Sequence, residues 1–431
     1  MEDIFVSDLG RIVTGKTPRT NISENYGGDI PFLTPTDNLT PKNCEKTLGT
    51  LTEKGLKEVK NCLLPAKSIC VSCIGSDMGR VIMTTKETVT NQQFNSIIPS
   101  GQYDPDYIYY LMVKLGRDMK YKYGKSSTAV PIVSKSMFSQ FKVSVLSDKS
   151  QQSLVAKLLT TIDDKISLNT RMNAELEAMA KQLYDYWFVQ FDFPFDFAQG
   201  KPDENGKPYK SSGGKMVWNE KLKREIPEGW DVKSLGDIIS KIDSGKRPTG
   251  GIDKSLKTGI PSLGAECIDE LGVFDFSSTP YISNQYRSKL TSGRIEDNDI
   301  LIYKDGAYVG KTTLFRDQFP YEEAFVNEHV FLIRANNIEL EEYLLFTLKS
   351  ETYFQIMQAL GKAKAAQPGL NQQDLKQISV LIPDGIIALK YNAIVDNLFK
   401  SLFANAKQIA RLINMRDELL PMLMNGQVTI E

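Results

Sequence analysis

The sequence is written twice, and that duplication limits the possible folds more than any other feature. SDLGRIVTGKTP at 7–18 returns as KSLGDIISKIDSGKRP at 233–248, and IPFL at 30–33 returns as IPSL at 260–263. CIGSDMGRV (73–81) matches YKDGAYVGKT (303–312), which places Gly75 and Gly79 opposite Gly306 and Gly310. NQQFNSIIP (91–99) matches NEHVFLI (327–333), with Gln93 opposite His329. DPDYIYYLMVK (104–114) and IELEEYLLFTLK (338–349) both read as amphipathic helices, and GKSSTAVPIVSKSMF (124–138) matches GKAKAAQPGLNQQDL (361–375). The offset drifts only from about 226 to about 237 residues. That period is far too long for a solenoid, so one module of roughly 200 residues, strands followed by a long helix, is used twice.

Duplication also decides the most conspicuous local motif. GRIVTGKT (10–17) fits the phosphate-cradling pattern G-x-x-x-x-G-K-[ST], whose chemistry needs a buried strand before it and a helix directly after it. Pro18 disfavours helical geometry at Thr17, and no apolar helical period follows. In the second copy eight residues separate Gly236 from Gly245 instead of four, and Arg247 replaces Thr17. The copies share only G-K-x-P, a turn. A nucleotide hydrolase using Gly10 to Thr17 is therefore the weaker reading, and since Gln93 replaces His329, the module carries no catalytic histidine.

Size and composition narrow the class. With 431 residues, 41% of them apolar, the chain can bury two or three cores. No apolar run is long enough to cross a membrane, and the N-terminus lacks a signal-peptide pattern. Five unpaired cysteines (Cys44, Cys62, Cys70, Cys73, Cys267) point to a reducing, cytoplasmic setting. Cys70 and Cys73 form a C-x-x-C inside the β-prone run SICVSCIG, without the second pair a zinc site needs, so they read as buried strand residues. The net charge of −1 means that any nucleic-acid contact must come from local basic patches.

Residues 150–190 contain neither proline nor glycine. A heptad seam is expected at Val155, Leu158, Ile162, Lys165, Asn169, Met172, Leu176, Met179, Leu183 and Tyr186, on a helix roughly 60 Å long. A second such helix runs from Ile387 to Asn425 with Val395, Leu398, Leu402, Asn405, Ile409, Leu412, Leu419 and Leu423, its last turn loosened at Pro421. The two seams most simply bury each other. Between the first helix and the second copy, FDFPFDFAQGKPDENGKPYKSSGGK (191–215) reads as a connector with an aromatic start. Its DFPF lacks the cofactor loop of an amino-methyltransferase, and PDENGK is too compressed for a nuclease motif.

At this point the whole chain resembles the DNA specificity subunit of a Type I restriction–modification system. The resemblance rests on WNEKLKREIPEGWDVKSLGDI (218–238), RDELLPMLMNGQV (416–428), AMAKQLYDYWFVQFDFPF (178–195), the duplicated module and the two long helices. The first copy departs by lacking the I-P-x-G-W that opens the second. The resemblance implies duplicated α/β (α+β) target-recognition domains joined by two long antiparallel, coiled-coil-like helices. The expected boundaries are 1–147 and 218–385 for the domains, 148–190 and 386–431 for the helices, and 191–217 for the linker. It further implies a non-catalytic reader of an asymmetric, two-part double-stranded DNA site. Two modification (methyltransferase) subunits and a motor and nuclease subunit are its implied partners. S-adenosylmethionine, ATP and Mg belong to those partners, with no cofactor or metal on this chain. A specificity subunit serving a Type IIB-like enzyme is an alternative that one chain cannot separate.

Candidate DNA contacts follow from chemistry, since cations meet phosphates while Arg, Lys, Asn and Gln read base edges. The first copy offers Lys16, Arg19, Arg80, Lys114, Arg117, Lys120, Tyr121, Lys122, Tyr123 and Lys125. The second offers Lys246, Arg247, Lys311, Lys362, Lys364, Gln367, Gln372 and Gln373, with Asn371 beside them. Leu183, Tyr184, Trp187 and Phe188 on one helix, and Leu419, Leu420, Met422 and Leu423 on the other, are candidate apolar docking surfaces for partner subunits.

Overall fold

A computed structural model describes residues 1–123, 131–203, 205–248, 251–253, 255–256, 258–306, 308–363 and 369–430. The chain divides into two compact units, Met1–Leu168 with Ile409–Glu431, and Asn169–Gln408. Each unit holds one module and a portion of both long helices. Among the described residues no helix is long and apolar enough to cross a membrane.

The modules repeat one sheet topology. In the first, the strands lie in the order Gly10–Thr14, Phe94–Pro99, Ile69–Ser72, Val81–Thr84, antiparallel throughout, with Asn43–Cys44 added in parallel at the edge. In the second the order is Ile239–Ser244, Val330–Ala335, Ile300–Tyr303, Thr312–Leu314, again antiparallel. Both close their ends in the same way, Glu2–Phe5 pairing with Lys142–Val145 and Asp231–Ser234 with Ser379–Ile382. Both also place a short parallel pair beside the main sheet, Phe32 and Leu33 against Val89 and Thr90, and Ser262 and Leu263 against Phe325 and Val326. The strands ICVS (69–72) and VIMT (81–84) are buried at every position, so the sheet is covered on both faces there and the strands show no polar–apolar alternation. Cys70 lies in the first of these strands and Cys73 just past its end, both buried free thiols with pKa pushed up by burial to about 12 and about 11.

The four aligned glycines explain why the pattern CIGSDMGRV recurs. Gly75, Gly79, Gly306 and Gly310 all have φ between 81° and 92°, a left-handed conformation that glycine adopts without a Cβ clash. At Gly79 space is limiting as well: a Cβ would meet the Gly116 carbonyl oxygen at 2.1 Å.

The long helices run Lys149–Tyr184 and Gly385–Met424. In the second unit Asn169 Nδ2 donates to Gln408 Oε1 at 2.6 Å, and Tyr391 OH donates to the Ala180 carbonyl at 3.3 Å. Numbers rise along one helix as they fall along the other, so the pair is antiparallel. The structure corrects the seam of the first helix. Val155, Ile162 and Asn169 are buried, but the alternate positions fall one residue later than the sequence pattern indicates. Leu159, Asn173, Ala180 and Trp187 are buried, whereas Leu158, Met172, Met179 and Tyr186 are 37–54% exposed and Lys165 is exposed. Both phases have 3,4 spacing, and the sequence phase favoured large side chains over Ala180 and Asn173. Close approach of the second helix at Ala180, marked by the Tyr391 hydroxyl, is what the small residue permits.

Five of the eight proposed docking residues are likewise corrected. Tyr184, Trp187 and Phe188 are buried in the second unit's core, where Phe188 meets Tyr343 at 4.7 Å and Tyr391 at 4.9 Å between ring centroids. Leu420 and Leu423 are buried in the first unit's core with Met424. Apolar helix ends here cover the modules themselves. Leu183, Leu419 and Met422 are half-buried.

The connector is folded more than its composition indicates. It forms a small three-stranded sheet (Pro194–Asp196, Lys201–Pro202, Lys207–Pro208) and then the hairpin Met216–Asn219 with Arg224–Pro227. Phe193 stacks on Tyr209 at 4.7 Å and on Trp230 at 5.3 Å, so aromatic burial supplies the order that glycine and proline alone would not.

Candidate nucleic-acid interface

Gly10–Thr14 is a sheet strand, and no helix opens after it. Gly15 N–H donates to the Phe94 carbonyl at 3.1 Å and Lys16 N–H to the Thr90 carbonyl at 2.9 Å. Those are the donors a phosphate cradle would need, and the fold has already used them. Gly15 is glycine because a Cβ would sit 2.1 Å from the Asn91 carbonyl oxygen, and Gly245 because one would sit 1.5 Å from that of Val326. The shared G-K-x-P thus marks a strand end pressed against the neighbouring backbone, followed by an exposed lysine, Lys16 or Lys246.

Several side chains gather at this strand end. In the first module Thr17 Oγ1 donates to Gln92 Oε1 at 2.7 Å, and Asn91 Nδ2 donates to Gln93 Oε1 at 2.9 Å. In the second module the Arg247 guanidinium lies 2.7 Å from Glu328, and His329 lies 3.3 Å from Glu328 and 3.0 Å from Asp305. The glycine turn joins them: Cys73 N–H donates to the Gln93 carbonyl at 2.8 Å, and Lys304 N–H to the His329 carbonyl at 3.1 Å. Gln92, Gln93, Glu328, His329 and Asp305 were not among the sequence candidates, although the alignment of NQQF with NEHV held the signal.

The remaining candidates scatter. Arg80 and Lys311 do correspond, each carbonyl accepting from a matching strand residue, Ser72 N–H at 2.9 Å and Tyr303 N–H at 2.9 Å. Arg80 is exposed, while Lys311 lies 3.3 Å from Asp269. Arg19 is exposed, and its backbone N–H donates to Glu58 at 3.0 Å, holding that carboxyl's pKa below its ordinary value. Lys114 bonds to Asn425, just past the second long helix, and the exposed Arg117 lies 2.5 Å from Asp417 on that helix. Lys120, Tyr121 and Lys122 are exposed at the end of the helix Pro105–Tyr123, Tyr121 by 74%. Tyr123 is half-buried against Phe141, with the Lys122 ammonium 5.5 Å from its ring centroid. Lys362 is exposed at the end of the helix Glu351–Lys362, and Gln372 and Gln373 are exposed in a short helix capped by Asn371. Lys125, Lys364 and Gln367 lie outside the described residues. Among the described residues no group of histidine, cysteine and carboxylate side chains is placed to hold a metal.

Comparison with known proteins places this geometry. The family model described as "Type I restriction modification DNA specificity domain" matches residues 1–178 and again 227–413. The chain is 28% identical, over 99% of its length and 93% of the relative's, to the Type I restriction enzyme MjaIX specificity subunit of Methanocaldococcus jannaschii. It is 35% identical, over 40% of its length and 37% of the relative's, to the Type I restriction enzyme HindI specificity subunit of Haemophilus influenzae. Among solved structures, the S subunit of a Type I restriction–modification system from M. genitalium superimposes with a TM-score of 0.57 at 17% identity, over 98% of this chain and 95% of that one. That likeness is one of fold.

Proposed function

Because the chain belongs to the Type I restriction–modification DNA specificity family, we propose that it reads an asymmetric, two-part double-stranded DNA site, one module per half-site. It performs no chemistry itself. Two modification subunits dock on the long helices and bring S-adenosylmethionine, and a motor and nuclease subunit brings ATP and Mg. The single observation that best supports this reading is the repetition of one strand order in two modules whose exposed strand-end side chains differ. A duplicated reader within one chain does what a dimeric reader does on DNA. Because its copies are not identical, its target need not be palindromic.

The paired helices then act as a ruler, with half-sites on one face of the duplex centred about one turn, roughly 34 Å, apart. The part-buried Asn169–Gln408 bond and the buried Asn173 restrict helix register, as polar seam residues do in a coiled coil. Inserting a few residues near Asn169 is expected to lengthen the unspecified spacer and leave both half-sites unchanged, read as the methylated motif. A changed half-site with an unchanged spacer would contradict the ruler.

A further inference from the structure

The two modules keep one backbone at the strand-end turn and change the class of the side chains it carries. Gln93 N–H donates to Asn91 Oδ1 at 3.0 Å, and His329 N–H to Asn327 Oδ1 at 2.8 Å. Val133 N–H reaches the Cys73 carbonyl at 2.8 Å, and Leu370 N–H the Lys304 carbonyl at 2.8 Å. Upon this shared frame Thr17 becomes Arg247, Gln92 becomes Glu328, Gln93 becomes His329 and Ile74 becomes Asp305. Even the contact is kept: the Thr17–Gln92 hydrogen bond at 2.7 Å is replaced by the Arg247–Glu328 ion pair at 2.7 Å.

Stability does not account for the change. The side chains of Arg247 and Glu328 are 43% and 33% exposed, and exposed pairs contribute little. Glu328 Oε2 is enclosed with no hydrogen-bond partner, which costs free energy, so the exchange does not improve the packing of the turn. Residues that only hold the turn, such as Asn91 and Asn327, are the same in both copies.

We infer that Arg247 and Glu328 read a G·C pair in the major groove of the second half-site, and that Gln92 reads an A·T pair at the matching place in the first. This assignment rests on the reading of the chain as a DNA specificity subunit. The ion pair is made through Arg247 Nε, and a fork to guanine O6 and N7 uses the Nη groups. A carboxylate accepts from cytosine N4, and a glutamine amide pairs with adenine N6 and N7.

The test uses the full chain in complex with its modification subunit, its target having been mapped by methylation. The complex is titrated with duplexes carrying single base-pair changes. The parent is expected to discriminate at one G·C pair of the second half-site by about tenfold or more. Arg247→Lys, which keeps the charge and loses the fork, reduces that ratio below about threefold and leaves the other positions alone. Gln92→Glu does the same at one A·T pair of the first half-site only. Unchanged discrimination in Arg247→Lys overturns the assignment. So does uniform weakening across all sequences with a shallower salt dependence, the signature of a phosphate contact. A parent complex without a two-part target overturns the underlying reading, and this assignment with it.

Discussion

Arg316 Nη1 lies 2.7 Å from Glu342 Oε1, with the two side chains 7% and 5% exposed, and its other nitrogen bonds to Asp396 on the second long helix. The first unit repeats the device with other residues: Lys42 lies 2.6 Å from Asp106 and donates to Thr160 on the first long helix at 2.6 Å. In each unit a buried cation ties the module's helix to the long helix beneath it. Arg316→Met strands the Glu342 carboxylate and should cost about 3–5 kcal/mol, while adding Glu342→Leu should recover most of that loss. Urea unfolding of both variants checks this. A single-mutant loss no larger than that of the exposed pair Arg287–Glu323, whose side chains are 42% and 28% exposed, would contradict a clamp.

Beside this pair, burial and the neighbouring Glu342 push the Glu341 carboxyl up from its ordinary 4.5 to about 7. The folded protein therefore holds a proton there more tightly than the unfolded chain. The site's contribution to stability is fullest below about 4.5 and falls as pH rises to about 7. Glu341→Gln, which keeps an acceptor for Asn298, should stabilise the protein at pH 8 by on the order of 1 kcal/mol after solvent screening and change little at pH 4.5. Thermal melts at the two pH values decide it, and an equal effect at both would refute the shift.

The corrected seam makes a sharp contrast between adjacent leucines. Leu159 is fully buried, and Leu159→Ala should cost about 2–5 kcal/mol. Leu158 is 37% exposed, and Leu158→Ala should stay within about 0.5 kcal/mol. Denaturant midpoints test the pair; the reverse order would restore the phase that the sequence pattern indicates.

Much of this fold was legible in the sequence because the repeat compares the chain with itself. The glycines at 75, 79, 306 and 310 align because each needs positive φ, and Gly15 and Gly245 align because neither can carry a Cβ. Helix phase was less legible: two phases fit the heptad, and only the approach of a partner at Ala180 separates them. Which basic residues find a counter-charge within the chain was not legible either, as with Arg117 and Asp417. Conversely, the NQQF–NEHV alignment marked His329 but not its partners, which only folding shows, bringing Glu328 to Arg247 and His329 to Asp305.

The strand-end glycine separates turn from phosphate loop. Gly15→Ala should cost about 3 kcal/mol or more, since its Cβ would meet backbone oxygens, whereas Lys16→Ala should leave stability unchanged. Mg·ATP should not shift the melting temperature of either Lys16→Ala or the parent. A shift present in the parent and lost in Lys16→Ala would reinstate a nucleotide site.

The most direct test of the central claim is to co-express this chain with the modification subunit proposed as its partner, in a methylation-free host, and map methylated adenines by direct sequencing. Two readers in one chain predict a single asymmetric motif, split by a fixed run of unspecified bases. An assembled complex that methylates no such motif, or only a palindromic or unsplit one, would contradict it.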